Sequence, residues 1–197
     1  MPDIILASTS PYRRELLARL QLPFTVESPA VDEQLTSGEA PRDRASRLAE
    51  AKARAVSQDS PQSIVIGSDQ VAHLDDRIFR KPGNHENAHD QLAACSGQTV
   101  IFSTALSLVS GDRTWSTIED YKVRFRRLTR AQIEQYLILD KPYDCAGSFK
   151  AEGLGITLLE STYGRDINAL YGLPLIALID GLTHFGYSLD TLTLRPK

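Results

Sequence analysis

The sequence predicts an α/β protein built on a mixed sheet, and three observations point to it. Short apolar runs in the N-terminal half alternate with stripes at helical spacing, the strand–helix order of an α/β sheet. Two long alternating runs, Gln98 to Val109 and Thr114 to Arg126, flank Ser110-Gly111-Asp112 and read as a β-hairpin. No repeat, low-complexity tract or linker divides the 197 residues, a length that allows one large domain or two small lobes sharing a cleft.

Taken in order, Asp3 to Ala7 is a short buried strand, and Ser10-Pro11 starts a helix with serine as N-cap and proline at the first helical position. Leu16, Leu17 and Leu20 form that helix's apolar stripe. A strand near Phe24–Glu27 leads into the loop Ser28 to Glu33, and a helix follows from Pro41 to about Ser57. Ile64-Val65-Ile66 is a third strand that ends in Gly67-Ser68-Asp69-Gln70. After Lys81-Pro82-Gly83 a helix covers Asn84 to Cys95, and Thr129 caps another that reaches about Leu139. A strand near Ile156–Glu160 and a last helix from Pro174 complete the chain. Ser188–Lys197 carries no readable chemistry.

Composition excludes several function classes. At 42% hydrophobic and 24% charged residues the chain is an ordinary globular one. No apolar run approaches the roughly 18 residues of a membrane span, and the first residues lack a signal peptide's basic start and apolar stretch. Cys95 and Cys145 suggest no disulfide framework, so a cytoplasmic protein is expected. A net charge of -3 gives no global attraction to a nucleic-acid polymer. Lys122, Arg124, Arg126, Arg127 and Arg130 cluster locally and read as a solvated basic face, with phosphate contact as the alternative.

The chemistry concentrates elsewhere. In Ser8-Thr9-Ser10-Pro11-Tyr12-Arg13-Arg14 a helix start offers unpaired N–H groups to an anion. Arg13 and Arg14 oppose the helix dipole there, at a cost of roughly a few tenths of a kcal/mol each, which makes sense if they grip a phosphate. Lys52 sits inside the apolar stripe Ala45, Leu48, Ala49, Ala53 and Val56, where it must snorkel, find a partner or enter a ligand site. Asp69 follows a buried strand and can bind a divalent cation or take a proton from water. Glu33 is a second loop carboxylate, and Lys81 stands on a turn stiffened by Pro82. Together Arg13, Arg14, Lys52 and Lys81 suit a triphosphate, with Glu33 and Asp69 on its Mg²⁺ or Mn²⁺. His85-Glu86-Asn87-Ala88-His89 matches the H-E-x-x-H zinc pattern, but Leu92 stands where the longer metalloprotease pattern has glycine, and an ordinary amphipathic helix fits better.

S-T-S-P-Y-R-R, V-D-E at 31–33, A-K-A at 51–53, G-S-D-Q at 67–70, K-P at 81–82, S-G at 96–97, C-A-G-S-F-K-A-E-G at 145–153 and G-L-P-L at 172–175 recur in one order. In this the chain resembles the Maf family of nucleotide pyrophosphatases over nearly its whole length, and within it the branch acting on 7-methyl-GTP. The resemblance implies a single Maf-like domain over residues 1–197. It implies an elongated α/β fold, related to inosine triphosphate pyrophosphatases, with two lobes around a cleft. It also implies divalent-metal dependence and cleavage between the α and β phosphates.

Carried onto these residues, Asp69 is the proton acceptor, and Tyr12, Gln70 and Glu152 set base choice. Ser8 and Ser10 join the phosphate grip. N7-methylguanine is cationic and suits the face of Tyr12, while Glu152 suits the N1–H and 2-amino donors of guanine. Ile167 stands where the family often has proline, and Tyr12 where the branch carries a larger aromatic. Two other readings stay open: a dTTP or UTP pyrophosphatase of a sister branch, and a nucleotide-binding regulator of cell division without turnover. A homodimer is compatible with the sequence but not dictated by it.

Overall fold

The computed structural model describes residues 2–34, 36–188 and 190, so nearly all of the C-terminal 189–197 stretch lies outside the described residues. The chain runs β1 (Ile4–Ala7), α1 (Pro11–Ala18), β2 (Thr25–Glu27), α2 (Pro41–Ser57), β3 (Ile64–Leu74), β4 (Arg77–Phe79) and α3 (His85–Cys95). Then come β5 (Thr99–Ser110), β6 (Arg113–Phe125), α4 (Arg130–Asp140), β7 (Leu159–Tyr163), α5 (Ile167–Leu170) and α6 (Leu175–His184). Helix starts follow their capping residues. Ser10 accepts from the Arg13 N–H at 3.4 Å, Asn84 from that of Asn87 at 2.8 Å, and Thr129 forms a capping box with Gln132.

The sheet is mixed, in the order β2-β1-β3-β5-β6-β7, with β4 also paired to β3. β1 lies parallel to β2 and β3, and every other pair is antiparallel. Two main apolar cores share its long strands. One gathers Ile4, Leu6 and Leu17 with Ile66, Leu106 and Leu178. The other gathers Leu92, Phe102, Phe125, Leu137 and Phe149. β3, β5 and β6 run from the first core to the second, which is the physical content of two lobes on one sheet.

The sheet is interrupted on one edge of β3, and that gap makes the site. β1 pairs with β3 only over Ile64–Gly67, and β4 pairs with it only from Ala72. Ser68–Val71 are therefore held by β5 on one edge and open on the other. This corrects the sequence reading, in which the third strand stops before Asp69. It is β1 that stops, while β3 continues to Leu74 because its small polar residues are covered rather than looped out.

Two further boundaries differ. The strand expected near Ile156–Glu160 begins at Leu159, after a 3₁₀ turn over Leu154–Leu158. Sequence reading also misses β4 and the one-turn helix α5, both too short to show a period. Ile167 opens α5 at its first helical position, behind the capping Asp166. Proline is tolerated at that position, so isoleucine changes little there. Among the described residues no helix is long and apolar enough to cross a membrane.

Candidate active site

A cleft of about 1110 Å³ opens over the gap in the sheet. It is lined by the β1–α1 turn, the loop at residues 28–34, β3, the loop at 78–81, the segment at 144–152 and the turn at 170–172. Ser8, Ser10, Tyr12, Arg13, Glu33, Lys52, Asp69, Gln70, Lys81 and Glu152 all face it. Arg14 does not. The helical turn that aims Arg13 inward rotates Arg14 to a separate shallow groove with Leu22, Pro23 and Phe24, so the cleft receives only Arg13 from the pair.

Gly67 explains how Lys52 reaches Asp69. A Cβ there would lie 2.2 Å from the Ala49 carbonyl oxygen, so only glycine lets α2 settle this closely on β3. Lys52, one turn beyond Leu48, then donates to Asp69 Oδ1 at 2.7 Å and to Glu33 Oε1 at 2.7 Å. The lysine is buried and bridges the two carboxylates. Burial pushes the Glu33 carboxyl up, but the hydrogen bond and charge of Lys52, helped by Lys81 and Arg13, outweigh it and hold the group below its ordinary value. The loop carrying Glu33 is pinned from α2, where Arg44 donates to the carbonyls of Glu33 and Gln34 at 2.5 and 3.2 Å.

Arg13 is fixed by the turn on the far side. Its Nε donates to the Gly172 carbonyl at 2.9 Å, and Gly172 holds a φ of +101° that favours glycine. Burial lowers the Arg13 pKa, while Asp69 and Glu33 pull it back up. At the helix start, Ser8 Oγ accepts from the Ser10 N–H at 3.1 Å and Ser10 Oγ accepts from the Arg13 N–H at 3.4 Å. Both hydroxyls spend an acceptor lone pair on backbone and keep their O–H for a ligand.

The other end of the cleft brings Tyr12 to Glu152. The Tyr12 hydroxyl is pushed up to about 12, first by burial, then by Cys145, Glu152 and Asp144. Cys145, free and half-buried, is itself pushed up to about 12 by burial and Asp144, which favours the protonated thiol at neutral pH. Gln70 projects from β3 toward the 169–172 turn, where its Nε2 donates to the carbonyls of Ala169 at 2.7 Å and Leu170 at 3.1 Å. Sequence reading misses this turn because its contribution is made by backbone carbonyls, which no residue type announces.

In the H-E-x-x-H segment, His85 is engaged by side chains of other elements. His85 Nε2 lies 2.8 Å from Glu134 and its Nδ1 3.0 Å from the Tyr143 hydroxyl, a bridge from α3 to α4 and the 143 loop. Among the described residues no group of three or more histidine, cysteine or acidic side chains is placed to hold a metal. Lys122, Arg124, Arg126, Arg127 and Arg130 are exposed or half-exposed, and none lines the cleft.

Residues 3–185 match the family model described as Maf-like protein. The chain belongs to the Maf family. Among Maf relatives, "7-methyl-GTP pyrophosphatase" of Pseudomonas syringae pv. tomato is 50% identical over 190 residues, covering 95% of this chain and 99% of that one. The protein of that name from Nitrosococcus oceani is 52% identical, covering 94% of each chain. That from Xanthomonas oryzae pv. oryzae is 53% identical, covering 96% of this chain and all of its own. The Ham1 protein of Staphylococcus aureus overlaps partially in structure, with 15% identity, a TM-score of 0.46 and coverage of 64% of this chain and 72% of that one. That likeness is too slight to carry the fold assignment, which stands on the mixed sheet itself.

Proposed function

We propose that this Maf protein is a cytoplasmic pyrophosphatase that hydrolyses 7-methyl-GTP to 7-methyl-GMP and pyrophosphate. The observation that carries the reading is the pairing of two different ends in one cleft. Asp69, Lys52 and Glu33 cluster at one, and Tyr12 faces Glu152 at the other. A cationic N7-methylguanine is attracted to the Tyr12 face and to the carboxylates of Glu152 and Asp144. The names of the relatives support the same substrate.

The triphosphate lies over the gap in β3, held by the hydroxyls of Ser8 and Ser10 and by Arg13, Lys52 and Lys81. Arg13, Lys52 and Lys81 supply the positive charge that favours an anion there. Lys52 occupies one oxygen of Asp69, and no hydrogen bond among the described residues engages the other, Oδ2. That oxygen accepts a proton from water as the water attacks the α-phosphorus. The α–β anhydride bond breaks, and its electron pair leaves with pyrophosphate. Two carboxylates plus substrate phosphates are a donor set that suits Mg²⁺ or Mn²⁺, though not a cage that holds it alone. Glu33 and Asp69 would hold such an ion, and it would neutralise charge on the phosphate oxygens.

Pyrophosphate release from methylated and unmethylated nucleotides, with and without Mg²⁺ or Mn²⁺, tests this. The expected ranking puts 7-methyl-GTP first and requires the metal. Fast turnover of dTTP or UTP with none of 7-methyl-GTP would move the protein to the sister activity. No turnover on any nucleotide would make it a binding protein.

A further inference from the structure

Gln70 lines the cleft, yet its amide nitrogen is already committed. Its two N–H groups are shared among the carbonyls of Ala169 and Leu170 and the hydroxyl of Thr104 on β5, the last at 2.9 Å. Carbonyls only accept, so the NH₂ must face them, and the orientation of the amide follows from chemistry. Thr104 closes the arrangement. It pairs directly across from Gln70 in the β3–β5 register. It is fully buried, and its hydroxyl donates to the Ala169 carbonyl at 2.8 Å. Having given its proton to Ala169, Thr104 Oγ1 has only lone pairs left for Gln70. Among the described residues no hydrogen bond engages Gln70 Oε1.

We propose that Thr104 is a positioning residue for base choice. It locks the Gln70 amide with Oε1 toward the cleft, so the site accepts a hydrogen bond from the base and offers none there. This rests on the nucleotide-pyrophosphatase reading and deepens it. Two acceptors, Gln70 Oε1 and Glu152, then face the base. A guanine-type edge carries donors at N1 and the 2-amino group and satisfies both. An adenine edge presents an acceptor at N1 and leaves one lone pair against another. Without the Thr104 hydroxyl the amide keeps the carbonyls of Ala169 and Leu170 as acceptors but loses its third tether, so its hold on Oε1 loosens and the penalty against an adenine edge falls.

The test uses Thr104→Val, which matches threonine in shape, and Thr104→Ser, which keeps the hydroxyl. For each, kcat/KM is measured on 7-methyl-GTP and on ATP, with the thermal midpoint alongside. Wild type is assayed first. Failure of wild type to cleave 7-methyl-GTP overturns the functional reading, independently of what Thr104 does. Given that activity, Thr104→Val should lower the 7-methyl-GTP/ATP ratio about tenfold, the worth of one hydrogen bond. Thr104→Ser should restore the ratio to within about twofold of wild type. An unchanged ratio in Thr104→Val, even with lower activity or midpoint, would make Thr104 merely structural and overturn the proposal, as would a Ser variant that behaves like Val. If Thr104→Val does not fold, the same ratio read on Thr104→Ala decides between the same two outcomes.

Discussion

At the Asp69 end of the cleft, where we propose the phosphates lie, charges hold one another. Lys52 bridges Asp69 and Glu33, Arg13 lies within their field, and Lys81 adds a further cation. Around Gln70, which we propose helps to read the base, neutral groups do the holding, namely Thr104 and the carbonyls of the 169–172 turn. Charge acts over distance and in all directions, whereas a hydrogen bond depends on which partner donates. Substitutions at the first end should therefore reduce turnover of every nucleotide alike, and substitutions at the second should reorder the nucleotides.

The largest effect belongs to Asp69→Asn. It removes the carboxylate we assign as proton acceptor while keeping the shape, and it should lower kcat by about 10²- to 10⁴-fold on all substrates. Steady-state kinetics with a thermal melt checks this, the melt staying within a few degrees of wild type. Lys52→Met comes next. It leaves the buried Asp69 carboxylate without its partner, at a cost of about 3–5 kcal/mol of stability in denaturant unfolding, with activity lost on every nucleotide.

Tyr12→Ala tests the other end. It should lower kcat/KM for 7-methyl-GTP about tenfold more than for GTP, because only the methylated base carries the charge that an aromatic face attracts. An equal loss on both would erase the distinction between the two ends.

The smallest effect is on stability in acid. In the folded chain Lys52 overcomes burial and holds Glu33 below its ordinary value. The stabilisation is complete above the unfolded-state pKa of about 4.3 and fades as pH falls through the folded value. Glu33→Gln should therefore lose less stability than wild type between about pH 5 and pH 3, measured by thermal melts across that range. The side chain is 56% exposed, so solvent screens the pair and the difference should be small.

Much of this was legible in the sequence because local chemistry spelled it. Ser10-Pro11 started a helix, Thr129 capped another, and Lys52 in an apolar stripe called for snorkelling, a partner or a ligand site, of which the structure shows the partner. What stayed hidden depended on other parts of the chain. Gly67-Ser68 read as the end of a strand because their cover, α2 on one side and the 169–172 turn on the other, lies far away in sequence. Arg14 looked equivalent to Arg13, and only the helical rotation separates them. Thr104 gave no signal at all, being one polar residue in an apolar alternating strand. The H-E-x-x-H segment read as an ordinary amphipathic helix, and it is one, with His85 bridging to Glu134 and Tyr143.

The central claim is that Asp69 directs water onto the α-phosphorus of 7-methyl-GTP. Hydrolysis in ¹⁸O-labelled water, with both products analysed by mass spectrometry, tests it most directly. The account predicts one labelled oxygen in 7-methyl-GMP, unlabelled pyrophosphate, and labelled product from Asp69→Asn formed about 10²- to 10⁴-fold more slowly. Label in the pyrophosphate, or undiminished labelling by a folded Asp69→Asn variant, would contradict it.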